Sequence, residues 1–128
     1  GTRYDLLAYV VMPSHCHWVF RPLECWVTTQ KSQDKMRSPR EEIQHSVNRF
    51  TAIECNKLRQ TLGDFWQRES YDHWVRDMDE LERIILYIEN NPVKAGLIEK
   101  AVDWPYSSAR DRAIVGTAIG LPLLRVRS

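Results

Sequence analysis

The chain has 128 residues, with 18 Lys and Arg against 17 Asp and Glu, and a formal net charge of +1. Its 43% hydrophobic and 27% charged residues are ordinary globular composition, long enough for one domain with a core and too short for two. The near-neutral balance gives no sign of a strongly basic nucleic-acid binder. No uninterrupted apolar run approaches the ~18 residues of a membrane span, so no membrane partner is expected. No secretory signal is read in Gly1-Thr2-Arg3, which leads straight into a strand-like segment. Cys16, Cys25 and Cys55 are odd in number and unrelated in spacing. They predict reduced thiols in a cytoplasmic protein and neither a disulfide framework nor a zinc knuckle.

In chain order, Tyr4 to Met12 is short, apolar and rich in β-branched and aromatic residues, which predicts a buried strand. Pro13-Ser14 interrupts it, His15 to Phe20 resumes a strand pattern, and Pro22 closes it, so two adjacent antiparallel strands are expected. Residues 22–37 are polar and without a clear period, which predicts a loop. Ser38-Pro39-Arg40-Glu41 announces a helix, with Ser38 as cap, Pro39 at the first helical position and Glu41 completing a capping box. Ile43, Val47, Phe50, Ile53 or Glu54, and Leu58 follow at helical spacing, up to about Leu62 and a stop at Gly63.

The stretch Phe65 to Arg76 mixes aromatics with charge and predicts a loop followed by a third strand. Asp77-Met78-Asp79-Glu80 repeats the capping pattern, and Leu81, Ile84, Ile85 and Ile88 form the apolar stripe of a second long helix. Pro92 is expected to end that helix at Asn90-Asn91-Pro92-Val93, because the residue before a proline avoids the α region. Trp104-Pro105-Tyr106-Ser107-Ser108 predicts a turn into a short helix, and Arg125 and Arg127 a basic tail. The order predicts a single α+β domain over residues 1–128, with a mainly antiparallel sheet, helices on one face, and a loosely packed tail over 111–128.

Two local patterns can carry chemistry. In a strand, His15 and His17 point to the same face, with Cys16 and Trp18 on the other. Two imidazoles so placed can share a divalent cation; equally, they can be a pair of surface histidines. On the second helix, Tyr87 and Asn91 are four residues apart and share one flank beside the apolar stripe. That pair can be a core-edge tyrosine and a solvated amide, or a phenol nucleophile beside a neutral oxygen ligand, a donor set suited to Mg²⁺ or Mn²⁺.

Taken together, the motifs carry a resemblance. Tyr9-Val10-Val11-Met12-Pro13-Ser14-His15-Cys16-His17-Trp18 resembles the metal-binding strand of the HUH single-strand DNA nucleases. Trp66-Gln67-Arg68, Tyr71-Asp72-His73, Tyr87 to Gly96 and Trp104 to Ser108 follow in the order found in the REP-associated tyrosine transposases. The match runs from about Tyr4 to about Arg110. It implies a ferredoxin-like α+β fold with helices on one face of an antiparallel sheet. Relative to that family the chain is expected to lack the first strand and helix, and Cys16 stands where a bulkier hydrophobe is commoner.

The resemblance further implies Tyr87 as nucleophile and His15, His17 and Asn91 as ligands of Mg²⁺ or Mn²⁺. The implied reaction is cleavage and rejoining of single-stranded DNA through a 5′-phosphotyrosine link, at REP-type hairpins. Trp66, Gln67, Arg68, His73, Arg76 and Arg49 are candidate DNA contacts, by stacking or by phosphate pairing. The expected partner is single-stranded or hairpin DNA, and the expected state is a monomer or a homodimer. Two further readings stand beside the enzyme: a binding module that recognises structured DNA without cutting it, and an unrelated α+β protein with a structural metal.

Overall fold

The computed structural model describes residues 3–31, 36–67 and 72–119, with side chains of the last helix described through Ile114. Its elements are β1 (Tyr4–Val11), β2 (Cys16–Pro22), α1 (Glu24–Lys31), α2 (Pro39–Arg59), α3 (Met78–Lys94), a 3-10 turn (Ala101–Asp103) and α4 (Ser108–Ile119). The class is α+β, as expected, and β1 and β2 pair in an antiparallel sheet. Among the described residues no helix is long and apolar enough to cross a membrane. Cys16, Cys25 and Cys55 are all free thiols.

The packing divides the chain into two compact units, one formed by residues 6–21 and 74–128, the other by 1–5 and 22–73. The first unit is built on the period-two pattern of β1. Ala8 and Val10 are fully buried and Met12 nearly so, while Val11 between them is about half exposed. Ile88 joins these three in the core, with Val19 of β2, Ile84 and Ile85 of α3, and Trp104 packed against it. Full burial of a side chain the size of Val10 or Ile88 contributes roughly 1.5–3 kcal/mol.

Asp77 caps α3 by accepting from the Glu80 N–H at 2.8 Å. The expectation that Pro92 ends α3 is corrected, because the helix runs on to Lys94 with Pro92 buried inside it. A proline in the final turn removes only one intrahelical bond. The stop is a Schellman motif: Gly96 sits at φ 75, its N–H bonds to the Val93 carbonyl, and the Leu97 N–H reaches back to the Pro92 carbonyl, both at 3.0 Å.

The third strand expected within Phe65 to Arg76 is absent from its described part; residues 72–76 have no regular structure, and 68–71 lie outside the described residues. The second edge of β1 is filled from elsewhere. Val10 forms an antiparallel bridge with Ser107, and the Val11 N–H donates to the Tyr106 carbonyl at 2.8 Å. Within the stretch expected as a loose tail from residue 111, α4 continues to Ile119; Arg125 and Arg127 lie outside the described residues.

In the other unit, the loop expected over 22–37 contains α1. Thr28 and Thr29 spend their hydroxyls on the carbonyls of Glu24 and Cys25, and β-branched residues weaken helical propensity, which explains why no helical period was legible. The α2 capping box forms as expected: Glu41 N–H donates to Ser38 Oγ at 3.3 Å and Ser38 N–H to Glu41 Oε2 at 2.8 Å. That arrangement holds the Glu41 carboxyl below its ordinary pKa, chiefly through the Ser38 backbone bond. The helix stops at Gln60, in the left-handed region at φ 55, three residues before Gly63.

Candidate functional site: a histidine pair facing a tyrosine helix

The turn at Pro13-Ser14 is closed by Met12 N–H donating to the His15 carbonyl at 2.8 Å. From there β2 alternates. His17 and Val19 share a face, and Val19 packs against the core that α3 covers. Trp18 and Phe20 stack on the other face with ring centres 4.3 Å apart. The alternation therefore turns His17 toward α3.

The ring centres of His15 and His17 are 5.0 Å apart in an edge arrangement. The ring of Tyr87 lies 5.8 Å from that of His17, also edge-on. Tyr87 is 53% exposed. Asn91, one turn further along α3, is half-buried on the same flank. Desolvation, and secondarily the charge of His15, pushes the His17 pKa below the usual histidine value. Both causes favour a neutral imidazole with a free lone pair. Ser14 Oγ lies 3.1 Å from His15 Nδ1, a contact that orients that ring.

The structure thus brings His15, His17 and Tyr87 together and puts Asn91 on the flank of α3 that Tyr87 occupies. No group of three or more His, Cys, Asp or Glu occurs among the described residues, so any cation here needs an amide or other oxygen beside the two imidazoles. Lys94, absent from the set predicted for the site, has its ammonium 5.8 Å from the Tyr87 ring centre. Its signal was present in the sequence as the position seven residues after Tyr87.

Behind the flank that carries Tyr87 and Asn91, Glu89 is held by α4. Its Oε1 accepts from Ser108 Oγ at 2.6 Å and pairs with the Arg112 guanidinium. Ser108 Oγ in turn accepts from the Tyr9 N–H of β1 at 3.0 Å. Tyr9 donates its own hydroxyl to Asp111 at 2.5 Å; burial, then this bond, push its pKa up to about 12. This network ties α3 to β1 and so holds Tyr87 against the histidine hairpin. Local periodicity carries no sign of it, because its partners are up to 102 residues apart.

The candidate DNA contacts are divided between the two units. Trp66 is half-buried, with its indole N–H donating to Thr51 Oγ1 at 2.9 Å in the unit that holds α2. Gln67, His73 and Arg49 are exposed in that same unit. Arg68 lies outside the described residues. Arg76 belongs to the unit that holds α3 and donates to the buried Glu80 carboxylate at 2.8 Å.

No family model matches the chain. A protein of Haemophilus influenzae, provisionally described as a REP-associated tyrosine transposase, is 32% identical over 111 residues, covering 82% of this chain and 58% of its own length. The REP-associated tyrosine transposase of Escherichia coli K12 is 30% identical over 105 residues, covering 82% and 54%. Among solved structures, a REP-associated tyrosine transposase bound to a REP hairpin shares the fold, with a TM-score of 0.60 at 24% identity, over 96% of this chain and 61% of that one. The α+β architecture thus matches the fold of that solved structure. The chain belongs to the REP-associated tyrosine transposase family, and it spans a little over half the length of the relatives it matches.

Proposed function

We propose that this chain carries the reacting centre of a transposase that cuts and rejoins single-stranded DNA at REP-type hairpins, with Tyr87 as nucleophile. The observation that supports this most directly is the edge contact of the Tyr87 and His17 rings at 5.8 Å, with His15 a further 5.0 Å from His17. The Tyr87 hydroxyl attacks a phosphodiester, forming a bond to phosphorus while the bond to the 3′-oxygen breaks. The phenolic proton leaves to water and the departing 3′-oxygen takes up a proton. The link conserves the bond energy, so rejoining needs no nucleotide.

The donor set fits a divalent cation such as Mg²⁺ or Mn²⁺. Two imidazoles stand side by side, His17 is kept neutral by its surroundings, and Asn91 adds a neutral oxygen on the tyrosine flank. His15, His17 and Asn91 would hold it, and it would supply positive charge at the scissile phosphate. Exposed Arg49, Gln67 and His73 are proposed as DNA contacts, together with Arg68; Trp66 and Arg76 already serve bonds within the fold.

The test is incubation with a REP-type hairpin oligonucleotide carrying single-stranded flanks, with Mg²⁺ or Mn²⁺. A covalent adduct that disappears in Tyr87→Phe, in His17→Ala and on chelation is expected. Hairpin bound tightly with no adduct under any of these metals points instead to a recognition module that does not cut.

A further inference from the structure

Lys94 belongs to the stretch that aligns with the family, yet nothing in the proposed chemistry uses it. On a helix advancing about 100° per residue, positions 87, 91 and 94 fall within a stripe about 60° wide. Tyr87, Asn91 and Lys94 are therefore presented together along one flank of α3. Lys94 is exposed, and its ammonium lies 5.8 Å from the centre of the Tyr87 ring. Among the described residues no carboxylate pairs with it. A cation that no described carboxylate pairs with, over the ring of an exposed phenol on the same flank, suits an anion that the phenol itself reaches.

We infer that Lys94 is a further catalytic residue: its ammonium holds the non-bridging oxygens of the scissile phosphate and of the phosphotyrosine that replaces it. This rests on the cleavage reading above. The phosphodiester carries one negative charge before attack and gathers more on its non-bridging oxygens as the Tyr87 oxygen bonds to phosphorus. A fixed cation beside the phenol therefore binds the transition state more strongly than the ground state. Lys94 neither gains nor loses a proton in this step. The phenolic proton goes to water as before.

A purely structural role is the competing account, since a lysine in the last turn of a helix offsets the negative end of the helix dipole. The two separate on the charge of the phosphate. In a time course of adduct formation at saturating hairpin, Lys94→Met is expected to slow the reaction about tenfold to a hundredfold, and Lys94→Arg to restore much of it. With a neutral methylphosphonate at the scissile position, mapped first with the unmodified protein, the difference between the unmodified protein and Lys94→Met should shrink to less than about threefold. A Lys94→Met protein that stays folded and reacts at the unmodified rate overturns the inference. So does a loss that persists undiminished on the methylphosphonate.

A second arm needs no cleavage. The slope of log affinity for the hairpin against log salt should fall by about one in Lys94→Met. An unchanged slope and affinity overturn the phosphate contact. If the unmodified protein forms no adduct, the cleavage reading fails by itself, and the Lys94 contact then stands or falls on this slope.

Discussion

Glu89 offers a quantitative test of what holds the tyrosine helix in place. Its side chain is only 12% accessible, and one oxygen serves both Ser108 and the Arg112 guanidinium. Burial lowers the Arg112 pKa, the mark of a cation withdrawn from water. Glu89→Ala would remove the carboxylate beside that cation and leave the Ser108 hydroxyl with only the Tyr9 carbonyl, at 3.2 Å, as acceptor. Removing one partner of a fully buried pair costs about 3–5 kcal/mol. The Arg112 side chain keeps 26% accessibility and can turn to water, so the expected cost is lower, about 2–3 kcal/mol. Glu89→Gln keeps an oxygen for Ser108 and should cost about half as much. Glu89→Leu combined with Arg112→Leu removes both charges and should recover most of the loss. Urea unfolding at neutral pH gives each value from the midpoint at constant slope. A Glu89→Ala cost below about 0.5 kcal/mol, or strict additivity with Arg112→Leu, would refute the idea that this pair anchors α3.

Three other outcomes follow from the same unit. Ile88 is 4% exposed at the centre of the core, so Ile88→Ala should cost about 2–4 kcal/mol in urea unfolding, and a cost under ~1 kcal/mol would mean the core collapses around the site. Gly96→Ala meets no atom within 4 Å but forces an L residue to φ 75, so about 1 kcal/mol of backbone strain is expected; a neutral or stabilising result would show that the Schellman turn is not maintained in solution. Tyr9 has a pKa of about 12 in the folded chain, against an ordinary value of 10.0, so the folded state holds its proton where the unfolded chain has lost it. Stability should be intact below about pH 10 and fall as pH rises from there toward about 12. Phenolate absorbance should show one late-titrating tyrosine that Tyr9→Phe abolishes, and no change in alkaline stability in that variant would refute the assignment.

The part of the site legible in the sequence was the part set by local geometry. His15 and His17 share a face because strands repeat every two residues, and Tyr87 and Asn91 share a flank because helices return after four. The capping box at Ser38 was equally local. Where non-local contacts decided, the sequence was misleading. Ser107, rather than the aromatic stretch before Asp77, fills the free edge of β1. Pro92 was read as a stop because its cost is local, while the burial that repays it and the turn at Gly96 lie beyond the residues that signal it. Nothing in the local pattern singles out Glu89, whose role depends on Ser108 and Arg112 of α4.

The unit that holds the histidines and the tyrosine is discontinuous in sequence, being made of residues 6–21 and 74–128. This bears on the order in which the protein can mature during synthesis. The histidine hairpin leaves the ribosome before residues 22–73, yet Ile88 and Ser107, which complete its packing and its second edge, follow only after them. At roughly 5–20 residues per second that is a wait of several seconds, during which β1 exposes an unpaired edge and an uncovered apolar face. A nascent chain arrested before Ser107 should therefore be a target for chaperones, and the cluster of His15, His17 and Tyr87 forms only after residues 22–73 have emerged.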